Sequence, residues 1–378
     1  MMRHLFLVTA LTLEALHGTA LALSPPNGSE RTPRSDLKQA HPGADPMKPA
    51  DIGNTSIQAL AAGSGGVVYA GSFGMGIFRS GDRGDTWASA SDGLTDPFVL
   101  CLTTAKNGAI YAGTFRGGVF RSRDEGKTWK PVNKGLKRLE IKVLLMDAKG
   151  LYAGTGDGVY VLNAADDQWK VVTTGLDEIL VHALARTTDG TLYAGTSGKG
   201  VHSYKERTPG WTRLRQGLRD HEGLVENFIR VLAVDKEQGV YAGTFDGGVF
   251  RSGDGGKTWL PISRALPNDS IRGLISNDRG VYVATGRGIF KSVDKGRQWV
   301  PLNKGLSNLS IQVLIEGEKG DFYAGTSSGV FRSDDDGLNW TAVSQGLEGE
   351  SIAPFRFNCA GKELRSRHKQ VLLRRPSP

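Results

Sequence analysis

Thiols are nearly absent from this chain. Its 378 residues include two cysteines, Cys101 and Cys359, and seven histidines. Two cysteines cannot build a disulfide framework or a four-ligand zinc site. Charge of one sign is scarce as well. The formal net charge is +8, from 47 Lys and Arg against 39 Asp and Glu. It divides as +1 over residues 1–50, +4 over residues 348–378 and +3 over everything between. A polyphosphate-binding surface needs a concentrated basic face, so no nucleic-acid partner is expected. Long apolar runs are missing too. The run Leu5 to Leu13 is too short to span a bilayer, which takes ~20 residues, and no transmembrane segment is expected.

Glycine is the residue in excess, at 52 of 378, about twice the usual ~7%. No Gly-X-Y period accompanies it, which excludes collagen. The glycines must serve many tight turns, and that favours an all-β architecture. Hydrophobic residues at 39% and charged residues at 23% leave enough apolar surface for a packed core.

Arg3 and His4, the apolar run after them and the triplet Ala20-Leu21-Ala22 follow the order of a secretory signal, with Glu14 and His17 as departures. Residues 1–22 are therefore expected to be a signal peptide, and the protein to be exported to a periplasm or the extracellular space. No cysteine follows to take a lipid. Residues 23–50, with Pro, Ser and mixed charge but no periodicity, read as a flexible linker.

Internal repetition dominates the rest. All seven tryptophans, Trp87, Trp129, Trp169, Trp211, Trp259, Trp299 and Trp340, fall on one lattice with spacings of 42, 40, 42, 48, 40 and 41. Seven of the nine tyrosines form a second lattice 17 or 18 residues upstream. The last unit, Ser310 to Leu347, predicts four short strands separated by glycine turns: Ile311 to Ile315, Phe322 to Ala324, Val330 to Arg332 and Trp340 to Val343. Four strands per unit of ~40–45 residues describe a β-propeller blade. The expected fold is all-β, a single seven-bladed β-propeller of four-stranded blades over residues 51–347, complete as a monomer.

The sharpest motif joins the third and fourth strands. Blade one carries Ser80, Asp82, Gly84 and Trp87; blade two carries Ser122, Asp124, Gly126 and Trp129. Blade five repeats them as Ser252, Asp254, Gly256 and Trp259, blade six as Ser292, Asp294, Gly296 and Trp299, and blade seven as Ser333, Asp335, Gly337 and Trp340. An Asp here can accept hydrogen bonds from turn amides, while Gly tolerates positive φ and Trp fills the gap between blades. Blades three and four depart, with Leu162, Ala164 and Asp166 in one and Tyr204, Glu206 and Thr208 in the other, keeping only Trp169 and Trp211. The run Asp334-Asp335-Asp336 lacks the alternating ligands of a calcium loop. No metal and no cofactor is expected.

Two sets of residues are candidates for ligand binding on the face opposite those turns. Phe73, Phe115 and Phe245 follow the second strand of their blades, with Arg116, Asp246, Lys199 and Arg287 beside them or in equivalent turns. Aligning the innermost strands places Gln58, Leu100, Lys142, His182, Arg230, Arg272 and Gln312 at one position. Cations converging on a channel repel one another unless carboxylates or an anionic ligand compensate. Glu140, Asp177, Glu178 and Asp269 in the adjacent linkers could compensate; otherwise the ring would take a carboxylate or an acidic peptide, which guanidinium grips bidentately. The linker insertion Arg219 to Glu226, with His221 between Asp220 and Glu222, breaks the ring's symmetry.

The S-x-D-x-G-x-[TQN]-W turns resemble the Asp-box, or BNR, repeat. Glycoside hydrolases of the sialidase and xyloglucanase kinds share that grammar, which implies a glycan-acting hydrolase as one alternative. Sialidases are six-bladed with an R-I-P signature, and xyloglucanases of this type place catalytic Asp residues between two propellers. This chain has seven units, no R-I-P and one array, so no catalytic residue is nominated. The array, its repeated run from Tyr-Ala-Gly to Trp and the leader more closely resemble exported photosystem II assembly or stability factor-like proteins. That resemblance implies a non-enzymatic scaffold that engages a polypeptide through an arginine-rich patch, for which Lys142, Arg230 and Arg272 are the candidates. Residues 348–378 lack the tyrosine strand, the box and the tryptophan of a further blade and read as a basic tail.

Overall fold

The computed structural model describes residues 56–163, 165–214, 216–218, 228–264, 266–267 and 270–347. The leader, the 23–50 linker, the insertion with His221, Asp269, the basic tail and Cys359 lie outside the described residues. The structure consists of seven sheets of four antiparallel strands, each sheet a meander of consecutive strands from one repeat, arranged as a β-propeller. Blade seven comprises Ile311–Glu316, Phe322–Thr326, Gly329–Ser333 and Thr341–Ala342. The expected strands are present, but Trp340 precedes the outermost one, which is only two residues long.

The second strands are the most deeply enclosed. Ile110–Thr114, Leu192–Thr196, Val240–Thr244 and Phe322–Thr326 are buried at every residue, because both of their faces meet a neighbouring blade. Close approach explains the Ala-Gly pair within them: a Cβ on Gly113 would lie 2.5 Å from Cys101 Sγ and 2.6 Å from Ile141 Cγ2. Cys101 itself is free and part-buried, its thiol 3.7 Å from the Ile141 carbonyl, and burial pushes its pKa up to about 12.

In five of the seven blades a tryptophan indole is hydrogen-bonded to the blade before it. The indole N–H of Trp129 donates to Ala90 O at 2.7 Å, Trp169 to Val132 O at 2.7 Å, Trp299 to Ile262 O at 2.8 Å and Trp340 to Leu302 O at 2.9 Å. Trp87 closes the ring by the same bond, to Val343 O at 2.7 Å. Its amide also donates to Gln345 O at 2.9 Å. At this joint Ile57, Phe78 and Trp87 share one core cluster with Tyr323, Val330 and Leu347. Arg83 grips Asp321 at 2.9 Å and Arg332 grips Asp85 at 2.8 Å across it. A linear solenoid has no such joint.

Five turns form one repeated cage. In blade one the Ser80 hydroxyl donates to Asp82 Oδ1 at 2.7 Å and accepts from the Gly84 amide at 2.7 Å. Asp82 Oδ1 accepts the Thr86 amide at 2.9 Å, and Oδ2 accepts the Thr86 hydroxyl at 2.6 Å. The serine, aspartate and glycine bonds recur in blades two, five, six and seven. Arg83 and Gly84 both have positive φ, 63° and 95°, the geometry of a type I′ turn, which suits the twist of adjoining strands.

Blade four stands apart. Tyr204 replaces the caged serine and stacks on Trp211 at 5.5 Å between ring centroids. The indole nitrogens of Trp211 and Trp259, which face the two joints of this blade, have no hydrogen-bond partner among the described residues.

Candidate functional site

Every inner strand pairs with its second strand through one register shift. Ile57 opposes Ser72 but Ala59 opposes Gly71, so Gln58 is the extra residue of a β-bulge. Leu100, Lys142, His182, Arg230, Arg272 and Gln312 occupy the same bulge in the other six blades. The polar ring seen in the sequence is therefore a ring of bulges, and bulges re-aim side chains. They lie where the inner strand starts and the second strand ends. The serine–aspartate turns are at the other end, where Arg83 N bonds Gly66 O at 3.0 Å in the first hairpin loop of its blade.

All seven bulge residues are half-buried. Lys142 is compensated, with its ammonium 2.7 Å from Glu140 and 5.6 Å from the centre of the Phe115 ring. His182 reaches Ser197 Oγ at 3.3 Å and packs on Phe228 at 5.2 Å. Burial, and after it Lys142 and Arg230, hold the His182 imidazole at about 4, so it is neutral at physiological pH. Arg230 lies over the Phe245 ring at 5.7 Å; burial, then the neighbouring Arg272, bring its guanidinium down to about 10. Arg272 reaches across to blade seven, to Ser310 Oγ at 3.2 Å and Ile311 O at 3.4 Å, while its Nε has no partner among the described residues. Among the described residues neither Arg230 nor Arg272 pairs with a carboxylate.

The two faces are charged differently. On the turn side, cations of the third strands reach acids of the next blade: Arg79 to Glu125 at 2.7 Å, Arg121 to Asp167 at 2.5 Å and Lys291 to Asp336 at 2.5 Å. Asp336 is part of an ion-pair lattice that also takes Arg279 at 3.2 Å. On the bulge side the acids serve local ends. Asp96 accepts the Arg116 amide at 2.6 Å and the Gly117 amide at 2.8 Å. Asp157 accepts the Tyr160 hydroxyl at 3.0 Å and the Glu178 amide at 3.2 Å, with Lys137 at 3.3 Å. Of the expected compensators among the described residues, Glu140 forms the predicted ion pair, whereas Asp177 accepts the Gly175 amide at 3.1 Å.

The phenylalanines have partners that lie outside the repeat motif. The Phe115 amide donates to Phe98 O at 3.0 Å, and the Phe245 amide to Phe228 O at 3.1 Å. Phe98 and Phe228 immediately precede their inner strands. Extending the repeat alignment one residue upstream of the buried Val99 and Ile229 would have exposed them. Phe73 meets Phe98 edge-on at 4.9 Å and Phe115 at 6.4 Å; Phe228 meets Phe245 at 5.6 Å. Arg116 lies over Phe115 at 5.1 Å. Lys199, Asp246 and Arg287 are exposed in their turns. No cluster of His, Cys, Asp and Glu with metal-holding geometry occurs among the described residues, and no helix there is long and apolar enough to cross a membrane.

No protein-family model and no curated protein sequence matches the chain. Solved structures do match, at the level of fold. The extracellular domain of the hybrid two-component system BT3049 from B. thetaiotaomicron has a TM-score of 0.62 at 20% identity, covering 75% of this chain and 39% of that one. The Niastella koreensis GH74 enzyme has a TM-score of 0.60 at 14% identity, covering 77% of this chain and 54% of that one. YCF48 bound to D1 peptide has a TM-score of 0.58 at 13% identity, covering 73% of this chain and 92% of that one. The chain thus spans well under two thirds of the first two neighbours, and at such identities the shared property is the seven-bladed propeller itself.

Proposed function

We propose that this chain is a non-enzymatic, exported interaction scaffold that binds an acidic segment of a polypeptide partner on the face opposite the serine–aspartate turns. Arg230, Arg272, Lys142 and His182 form the crown that receives it, with Arg116, Phe73, Phe115 and Phe245 around them. The carrying observation is the pair Arg230 and Arg272: half-buried, adjacent, and without a carboxylate among the described residues. Desolvating two guanidiniums side by side costs several kcal/mol. An incoming carboxylate offsets that cost and makes charge-assisted, bidentate bonds. The leader and the extracellular setting of the BT3049 domain favour export, to a periplasm or beyond. A propeller of the same architecture with a bound peptide is a precedent in fold.

The alternative, a glycan hydrolase, draws on the GH74 likeness. Glycoside hydrolysis needs one carboxyl held protonated opposite a second, ionised one. On the bulge side Asp157 is instead held below the ordinary carboxyl range, its burial outweighed by the Glu178 amide, Tyr160 and Lys137. Asp96 and Glu140 are occupied by amides and by Lys142.

The test is a pull-down from the native envelope fraction, paired with anisotropy titrations of a fluorescent acidic peptide. The Arg230→Ala/Arg272→Ala double variant is expected to lose a specific polypeptide and to weaken the peptide at least tenfold, at ~1.5–3 kcal/mol per charged hydrogen bond. Equal binding by wild type and variant, or turnover of a glycan panel by the wild type, overturns the proposal.

A further inference from the structure

Phe73 and Phe98 form an exposed aromatic step built onto the edge of the crown. The two residues remain 39% and 37% exposed while their rings meet edge-on at 4.9 Å. The step is held rigidly. The amides of Gly74 and Gly76 both donate to Pro97 O at 3.1 Å. Asp96, only 7% exposed, accepts the Phe98 amide at 3.2 Å with one oxygen and the Arg116 and Gly117 amides with the other. Gly74 has φ of 114°, and a Cβ there would come 3.5 Å from the Phe98 ring, so the glycine leaves that ring uncovered. In blade five the counterparts of Phe115 and Phe98 are both covered, with Arg230 over Phe245 and His182 against Phe228.

Charge defines what the step can face. Phe73 leads through Phe115, at 6.4 Å, to the cations Arg116 and Lys142 lying over that ring at 5.1 and 5.6 Å. Arg116 makes no ion pair among the described residues. By that route Phe73 and the Arg116 guanidinium are at most ~12 Å apart, about four residues of extended chain at ~3.3 Å each. We propose that the Phe73/Phe98 step selects acidic polypeptide segments that carry an aromatic or large aliphatic side chain within about four residues of a carboxylate. The apolar side chain stacks on the two rings while the carboxylate is taken by Arg116 and the crown. This inference rests on the reading of the crown as an acidic-peptide site and names the peptide class it accepts.

The experiment titrates the full chain with two labelled peptides of equal net charge: a Glu-rich peptide with one Phe two residues from a Glu, and the same peptide with Ser for Phe. Wild type should bind the Phe peptide about tenfold more tightly than the Ser peptide. Phe73→Ala/Phe98→Ala should bring the affinity for the Phe peptide down to that for the Ser peptide, and Phe73→Leu/Phe98→Leu should restore part of the difference. Thermal melts of each variant establish folding, which substitutions at exposed rings leave intact. If both peptides bind wild type equally, or the alanine variant loses both alike, the step is not selective and the crown stands alone. If neither peptide binds wild type, the acidic-peptide reading fails, and this inference with it.

Discussion

At the scale of single residues the protein uses one device many times. Asp82, Asp124 and Asp254 accept hydrogen bonds from a threonine hydroxyl, a turn amide and a serine, in that order of effect, and their carboxyls are held at about 2. Asp294, chiefly through the Gln298 amide, and Asp335, chiefly through the Asn339 side chain, are also held low. A folded-state value below the ordinary one means the stabilisation is complete above pH ~4 and lost as the pH falls toward 2. Histidine acts earlier. His182 and His202 are held at about 4, against an ordinary 6.5, mainly by burial. The unfolded chain therefore takes up those protons first, and the folded state weakens as pH falls from 6.5 to 4. Thermal melts from pH 7 to pH 2 should show two stages of decline, and the His182→Gln/His202→Phe variant should lose the upper one. A bound carboxylate beside His182 would raise its pKa, so acidic-peptide binding should take up protons between pH 6 and 4.

At the scale of the blade, repetition makes exceptions informative. The third-strand residue opposite the second-strand Ala or Val is Phe78, Phe120, Tyr160, Phe250, Phe290 and Phe331 in six blades, and His202 in the fourth. His202 is buried and its Nδ1 has no hydrogen-bond partner among the described residues. An unsatisfied buried polar atom costs ~1–3 kcal/mol, so His202→Phe should raise the melting temperature at pH 7, as consensus replacements commonly do. An unchanged or lower value would mean that blade four is spaced for an imidazole. The bulges were not foreseen in the sequence. Alignment placed the seven residues at one position, but only strand pairing shows that each is the unpaired extra residue.

At the scale of the whole ring, closure depends on glycines after the fourth strands. A Cβ on Gly346, where φ is 88°, would lie 2.2 Å from Trp87 O; Gly93, Gly135, Gly217 and Gly305 stand as close to the next tryptophan carbonyl. Gly175, between blades three and four, also has positive φ, yet its nearest contact is Trp211 N at 3.7 Å. Gly346→Ala should therefore destabilise by more than the ~1–3 kcal/mol of backbone strain alone, and Gly175→Ala by that strain only. Urea denaturation of the two variants tests the difference. Equal effects would show that blade seven meets blade one no more tightly than blade three meets blade four.

Fold and blade number were legible because their determinants are local and repeated. One tryptophan, one tyrosine strand and a set of glycine turns per unit specify four strands, and seven such units can cover all their faces only by closing on one another. The candidate site was legible only as a list. That Lys142 is neutralised by Glu140, while Arg230 and Arg272 meet no carboxylate among the described residues, depends on distances between side chains of different segments. Phe98 and Phe228 join the site because backbone bonds clamp linker to turn across blades, a pairing between segments whose separation no motif records. The chain by itself determined how many blades there are and which residues sit at each repeat position. Tertiary structure decided which charges are compensated and which aromatic rings stay open to solvent, because both depend on distances across blade joints rather than on spacing along the chain.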